Sequence, residues 1–438
     1  MAETFDLLIT NGICVLPWGQ EQTNVGVRNG KIVALGAQGD AAKTIDATGL
    51  HVLPGLIDPH VHLRDPGDPA VESIPTGTKG ALLGGLACVF DMPNTTPSLV
   101  DEKMLTWKQG YVEQVAWCDM GLYMGATRAN TSQLGGLECG CGVCGIKVFA
   151  GSSTGDLMIE DDESLEKVMR SGRRRISYHS EDEYRLQARK SMFKDGDPYA
   201  SHALWRDEEC AFLGTRRLMA LARTTNRPAH LLHVSTAQEF AYLKDYRDVV
   251  TCEVLVNHLT QFAPDVYERL GGFAVMNPPI RDARHMEAAW AALNDGLVDT
   301  IGSDHAPHAR EKKILPWPNC ASGLTGVQTL VPIMLNHVNA GRTSLSRMVD
   351  LMCAGPARVY GAIGKGRLAA GYDADFTLVD MKKQRRIEES WIVSPCGWTP
   401  FAGMDITGWP VGVVIRGNQV MADDEVLGTP QGRLVQFR

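Results

Sequence analysis

The sequence predicts an α/β protein: a (β/α)8 TIM barrel with a small β-sandwich domain formed by the N- and C-terminal segments. Three observations lead there. Through the middle of the chain, apolar runs of strand length alternate with stretches of helical period, which indicates parallel strands joined by helices. Eight such runs are present, the number that closes a barrel. Both flanks change rhythm and read as short strands around tight turns.

Residues 1–54 contain FDLLIT, ICVLP and VGVRNGKIVALG, short apolar or alternating runs set around Asn-Gly dipeptides. Residues 365–438 repeat the pattern in DADFTLVD and GVVIRGNQVMA. Neither flank has enough strands for a stable sheet alone, so the two are expected to meet in one domain. Residues 55–364 supply the barrel. Its expected strands are 56–63, 87–93, 120–127, 145–151, 175–181, 229–235, 250–259 and 299–305, with helical patterns such as 207–225 and 283–296 between them. The rival, an open doubly wound sheet, usually carries a glycine-rich phosphate loop after its first strand, and none follows here.

Composition narrows the function. The chain has 438 residues, 44% apolar and 21% charged, ordinary for a globular protein. A formal net charge of −8, with no Lys/Arg run longer than Arg173–Arg175, argues against a nucleic acid or an anionic membrane as partner. No apolar run reaches the length of about 18 residues that a bilayer span needs. The opening MAETFDLLIT does not read as a signal peptide, and eleven cysteines, an odd count, suit reduced thiols. A cytoplasmic, soluble protein is expected.

Chemistry concentrates at the ends of the expected strands. In LIDPHVHL, His60 and His62 lie two apart and project to one face together with Asp58. One such histidine could be a satisfied core residue; a pair aimed at one spot suits a metal ion. His179, His233, Asp304, His305 and His308 stand at later strand ends, where barrel enzymes keep their working groups. Together they would make a nitrogen and oxygen donor set of the kind zinc favours. Lys147, inside the apolar GIKVFAG, requires a special partner, because a bare buried ammonium tends to lose its proton. It snorkels, pairs with an acid, or serves as a neutral amine that carbon dioxide converts to a carbamate. In ECGCGVCG, Cys139, Cys141 and Cys144 have thiolate-site spacing without a fourth ligand and are expected to form a structural loop.

The strings PGLIDPHVHLRDPG, GIKVFAG, SDHAPH and GRLAAGYDADFTLVD resemble the cyclic-amide branch of the amidohydrolase superfamily over nearly the whole chain, and HLRDPG with MPNTTP is similar to the dihydroorotases within it. The resemblance implies two divalent metal ions, zinc first among them, bridged by carboxylated Lys147 and hydroxide. It assigns His60, His62 and Asp304 to one ion and His179 and His233 to the other. Arg64, Asn94 and His308 are implied to hold the substrate carboxylate, with Asn277, Ser322 and Gly323 as further contacts. The implied reaction is the reversible hydrolysis of dihydroorotate to N-carbamoyl-L-aspartate in pyrimidine biosynthesis, with Asp304 moving the proton. Arg64 favours an acidic ring over those of allantoinases, hydantoinases and dihydropyrimidinases; a catalytically silent scaffold is the other alternative. The resemblance also implies a homodimer or homotetramer. Asn257, Ser322 and Gln328 depart from the family pattern. Segment 309–319, polar and directly after SDHAPH, is expected to be a mobile cover.

Overall fold

The computed structural model describes residues 3–151 and 157–438. Eight strands form one sheet in which each pairs in parallel with its neighbour in the sequence. They are Leu56–Val61, Leu86–Asp91, Asp119–Gly125, Val143–Phe149, Ile176–His179, Ala229–Leu231, Val250–Leu255 and Thr300–Gly302. The sheet closes through a parallel bridge between Val61 and His305, with His62 N–H donating to His305 O at 2.7 Å. All eight expected runs are strands. Most end earlier than the apolar pattern suggests, because the chain leaves the sheet where its polar residues begin. The clearest case is 250–259: the strand stops at Leu255 and Val256–Thr260 is a short helix.

The barrel helices start where small polar residues can accept from free N–H groups. Ser73, Asp101, Asp161, Asp207, Thr236 and Asp282 each cap a helix with a side-chain oxygen. The expected helices appear as Glu208–Thr225 and Ala283–Asn294.

Both flanks pair in a second, β-rich body. One sheet holds Lys31–Leu35, Val25–Arg28, Glu3–Thr10 and Gly39–Asp46. The other has seven strands and joins His51–Pro54 to Phe376–Arg386, with Pro54 opposite Phe376. Leu7, Ile9, Val25, Val27, Val52, Phe376, Leu378 and Val414 fill the space between the sheets. The two Asn-Gly signals behave differently. Asn29-Gly30, both at positive φ, turns a two-residue hairpin between Arg28 and Lys31. Asn11-Gly12 joins strands of different sheets; a Cβ at Gly12 would lie 2.5 Å from Val52 Cγ2, so the crossover needs glycine.

The last residues of the chain run under the barrel. Met120 N–H donates to Arg433 O and Val435 N–H to Met120 O, both within 2.9 Å. Phe437 packs edge-on against Phe90 at 5.4 Å between ring centres, and Tyr360 meets Phe90 and Tyr123 in the same way. The rings close the barrel floor opposite the strand ends that carry the histidines. Among the described residues, no helix is long and apolar enough to cross a membrane.

Candidate active site

The strand ends converge on a cavity of about 500 Å3 lined by His60, His62, Arg64, Asn94, Lys147, His179, His233, Asn277, Asp304, His308, Ser322 and Gly323 among others. Three of these residues break sharply from their strands: Arg64, His233 and Asp304 have φ of 49°, 41° and 48°. A non-glycine residue in that region costs on the order of 1–3 kcal/mol, a cost typically met where a side chain must be aimed for function.

Four imidazoles meet here. The His60 ring centre lies 5.4 Å from that of His62 and 5.6 Å from that of His233, and His179 and His233 are 4.6 Å apart. Asp304 Oδ1 sits 3.2 Å from His60 Nε2 and 3.1 Å from His62 Nε2. His179 Nδ1 faces His233 Nε2 at 3.0 Å. Burial pushes His62 down to about 4 and holds His179 and His233 below their usual range. In His60 burial also lowers the pKa, but Asp304 and Glu253 outweigh it and raise it. Lys147 is buried with its ammonium 4.5 Å from the Phe149 ring centre, and desolvation takes it down to about 7.

The outer nitrogens of three rings are engaged by acceptors. His60 Nδ1 meets Glu253 Oε1 at 2.8 Å, His62 Nδ1 meets Asn94 Oδ1 at 2.6 Å, and His179 Nε2 meets Glu181 Oε2 at 2.9 Å. An imidazole that donates outward presents its lone pair inward, the arrangement found around protein-bound divalent metals. His60, His62 and Asp304 place their ligand atoms within 4.8 Å of one another. The donor set therefore fits a divalent ion, and the facing nitrogens of His179 and His233 fit a second one.

Several of these supports were not read from the sequence. Glu253 is fully buried on the seventh strand and also accepts from His233 N–H at 3.3 Å, so one carboxylate oxygen touches both halves of the cluster. Its signal was available: like Lys147, it is a charge within an apolar run, TCEVLV. Glu181 is gripped by Arg206, a buried pair that fixes His179 from behind. Asp58, expected on the face of His60 and His62, accepts from Ser303, directly before Asp304, and from His60 N–H; burial raises its carboxyl to about 6. His305 faces away from the cluster, meeting Glu72 Oε2 at 2.9 Å.

The amidohydrolase family pattern matches residues 51–420. The chain belongs to the amidohydrolase family. As a member it is 33% identical to a dihydroorotase of Methanosarcina acetivorans over 92% of this chain and 89% of that one. It is 32% identical to an allantoinase of Deinococcus radiodurans over 99% of both. The fold superposes on the L-hydantoinase (dihydropyrimidinase) of Arthrobacter aurescens with a TM-score of 0.95 and 28% identity, covering 99% of this chain and 100% of that one.

Beside the histidine cluster of this amidohydrolase stands a wall of polar groups. Arg64 donates from Nε to Pro307 O at 3.3 Å and makes no ion pair among the described residues. Asn94 sets its oxygen on His62, and its NH2 has no partner among the described residues. His308 meets Ser322 O through Nε2 at 3.0 Å; burial and then Arg64 push it down to about 3, so the ring is neutral. Asn277 Oδ1 lies 2.9 Å from His202 Nε2, and His202 Nδ1 accepts from the Trp317 indole at 3.2 Å. Gly323 N–H is taken by Val275 O at 2.9 Å.

Segment 309–319, the expected cover, carries both exposed and buried side chains, with Ile314 and Leu315 exposed. Lys313 and Trp317 are buried within it, and Lys313 Nζ donates to three backbone carbonyls. Trp398, from the C-terminal flank, donates to His308 O at 2.8 Å and lies under the Lys313 ammonium at 5.6 Å. The three departures from the family pattern have local roles. Asn257 is buried and accepts from Gln261, and Gln328, in the turn before helix Leu330–Asn339, meets Trp391 O and Val393 N–H. Ser322 lends its carbonyl to His308. Cys139 and Cys141 are exposed while Cys144 is buried, and none belongs to a metal-holding group among the described residues.

Proposed function

We propose that this amidohydrolase hydrolyses a cyclic amide that carries a carboxylate, converting dihydroorotate and water reversibly to N-carbamoyl-L-aspartate. One observation carries the reading: the Arg64 guanidinium, beside the histidine cluster, lines the cavity and makes no ion pair among the described residues. Such a group grips a ligand carboxylate bidentately, which hydantoin and allantoin rings do not offer. The name borne by the dihydroorotase relatives supports the same choice.

His60, His62 and Asp304 would hold one divalent ion and His179 and His233 a second, with Lys147 as a carbamate supplying oxygens to both. Zinc suits this donor set. Bound there, the ions would polarise the ring carbonyl and lower the pKa of the attacking water to about 7. Asp304 takes the proton of that water and returns it to the ring nitrogen as the amide C–N bond breaks, an acid–base contribution of roughly 10²–10⁴. Arg64 and the Asn94 NH2 anchor the carboxylate, while Asn277 and the Ser322 backbone border the ring, so the reacting carbonyl is presented in one orientation. His308 donates to Ser322 O and borders the same pocket.

An allantoinase or hydantoinase is the second reading, favoured by the full-length allantoinase relative and the 0.95 superposition. A panel of dihydroorotate, allantoin, hydantoin and dihydrouracil with metal-replete protein separates them. Dihydroorotate is expected to be turned over best, and a preference for an uncharged ring overturns the reading. No turnover together with negligible metal content would instead favour a silent scaffold. The homo-oligomer and the cytoplasmic location belong to the same proposal, checked by light scattering and cell fractionation.

A further inference from the structure

Lys313 and Lys108 are fully buried lysines that the chemistry above does not use; Lys108 pairs with Asp91, whereas Lys313 has no carboxylate partner among the described residues. It sits in the polar run AREKK, yet its side chain is 0% exposed. Its ammonium donates to Val275 O at 2.9 Å, Ala321 O at 2.7 Å and Gly323 O at 2.9 Å, one carbonyl for each of its three protons. The Trp398 ring covers it. Those carbonyls belong to the two segments that border the substrate, one leading to Asn277 and the other holding Ser322 and Gly323.

The pattern of occupied groups in 321–323 is informative. Lys313 takes Ala321 O and Gly323 O, His308 takes Ser322 O, and Gly323 N–H goes to Val275 O. Ser322 N–H is the group left over, with no partner among the described residues, and Ala321, Ser322 and Gly323 all line the cavity. A trans peptide is planar and sets its N–H opposite its C=O. Drawing Ala321 O toward the buried ammonium therefore turns Ser322 N–H the other way.

We propose that Lys313 is a positioning residue of the substrate cradle: it locks segments 275–277 and 321–323 into one wall and aims Ser322 N–H at the bound ring. The proposal rests on the reading of this cavity as the site of a cyclic-amide substrate. It replaces a closing cover with a preformed wall, whose ordering is complete before substrate arrives.

Lys313→Met keeps the stem and removes the donors; Lys313→Arg keeps donors in another geometry. Steady-state kinetics on dihydroorotate should show KM for Lys313→Met raised about tenfold or more, the loss expected for a misaimed hydrogen-bond donor. The fall in kcat should be less than about threefold, metal content should match the parent, and Lys313→Arg should lie between the two. A lower melting temperature with unchanged KM would assign Lys313 a purely structural role and overturn the proposal.

Hydrogen exchange of the parent provides the second arm, which does not depend on the variants folding. Within residues 319–325 the Asn319, Ala321 and Gly323 amides, which have backbone partners, should be protected without ligand, and the gain on adding N-carbamoyl-L-aspartate should be confined to Ser322. Full exchange that becomes protected only with ligand would restore a mobile cover and sink the idea. If the parent does not hydrolyse dihydroorotate, the substrate reading fails on that assay alone. The kinetic arm then runs on whichever cyclic amide is turned over, and the exchange arm still reads Lys313.

Discussion

Removing the charge of Glu253 tests whether the two halves of the histidine cluster are physically linked. Its Oε1 accepts from His60 Nδ1 at 2.8 Å and from His233 N–H at 3.3 Å, in a site with 0% exposure. Glu253→Gln keeps the shape and an oxygen but loses the charge that strengthens both bonds. A hydrogen bond to a charged partner contributes about 1.5–3 kcal/mol and a neutral one about 0.5–1.5 kcal/mol. The difference, on the order of 1–2 kcal/mol, is felt by the His60 lone pair and by the His233 backbone together. It corresponds to a loss of roughly 5–30-fold in metal affinity, overlapping the loss of about 10–100-fold usual when such a support is removed. Chelator-stripped protein titrated with zinc against a chromophoric competitor would measure it. Because one oxygen serves both sides, both binding steps should weaken. Unchanged affinity, or weakening of one step only, would refute the bracing argument.

Four further outcomes are expected. Arg64→Met should raise KM for dihydroorotate about 10–100-fold, the loss of a charge-assisted contact, while leaving the rate on uncharged hydantoin unaltered; an equal effect on both rings would contradict a carboxylate grip. Asp304→Asn should lower kcat by about 10²-fold or more with most of the metal retained, read by mass spectrometry of the metal content, and a near-normal rate would remove the proton shuttle. Dialysis against a chelator should abolish hydrolysis without loss of helical circular dichroism, with zinc restoring activity; full activity in metal-free protein would exclude the proposed ions. Lys365 pairs with Asp119, Asp373 and Asp375 in a buried cluster that also holds Arg416, between the barrel and the β-rich body. Lys365→Met should cost about 3–5 kcal/mol in chemical denaturation because it strands buried carboxylates; a loss below about 1 kcal/mol would show that the charges find other partners.

The barrel was legible because its strands are apolar runs bounded by helical periods, a local signal that survives without tertiary information. His60 and His62 were legible for a similar reason, since a two-residue spacing fixes their common face. What escaped depends on distant partners. His202 meets Trp317 across 115 residues and Asn277 across 75, and nothing near His202 in the sequence announces either. Lys313 hides among charged neighbours, where one buried ammonium looks like any solvated lysine. Asn11-Gly12 shows the opposite failure: a correct turn signal, read as a hairpin, where the chain changes sheets. The strand ends were overrun because polar site residues such as His233 and Asp304 adopt left-handed backbone that no apolar pattern encodes.

The floor of the barrel has a bearing on how the protein is made. Arg433, Val435 and Phe437 reach back to Met120 and Phe90, more than 300 positions earlier. On a ribosome, the eight strands would all have emerged while the underside of the ring still lacked this plug. The nascent barrel would keep an open, apolar base until residues 433–437 could reach it, so folding of the ring and closing of its floor are separated in time.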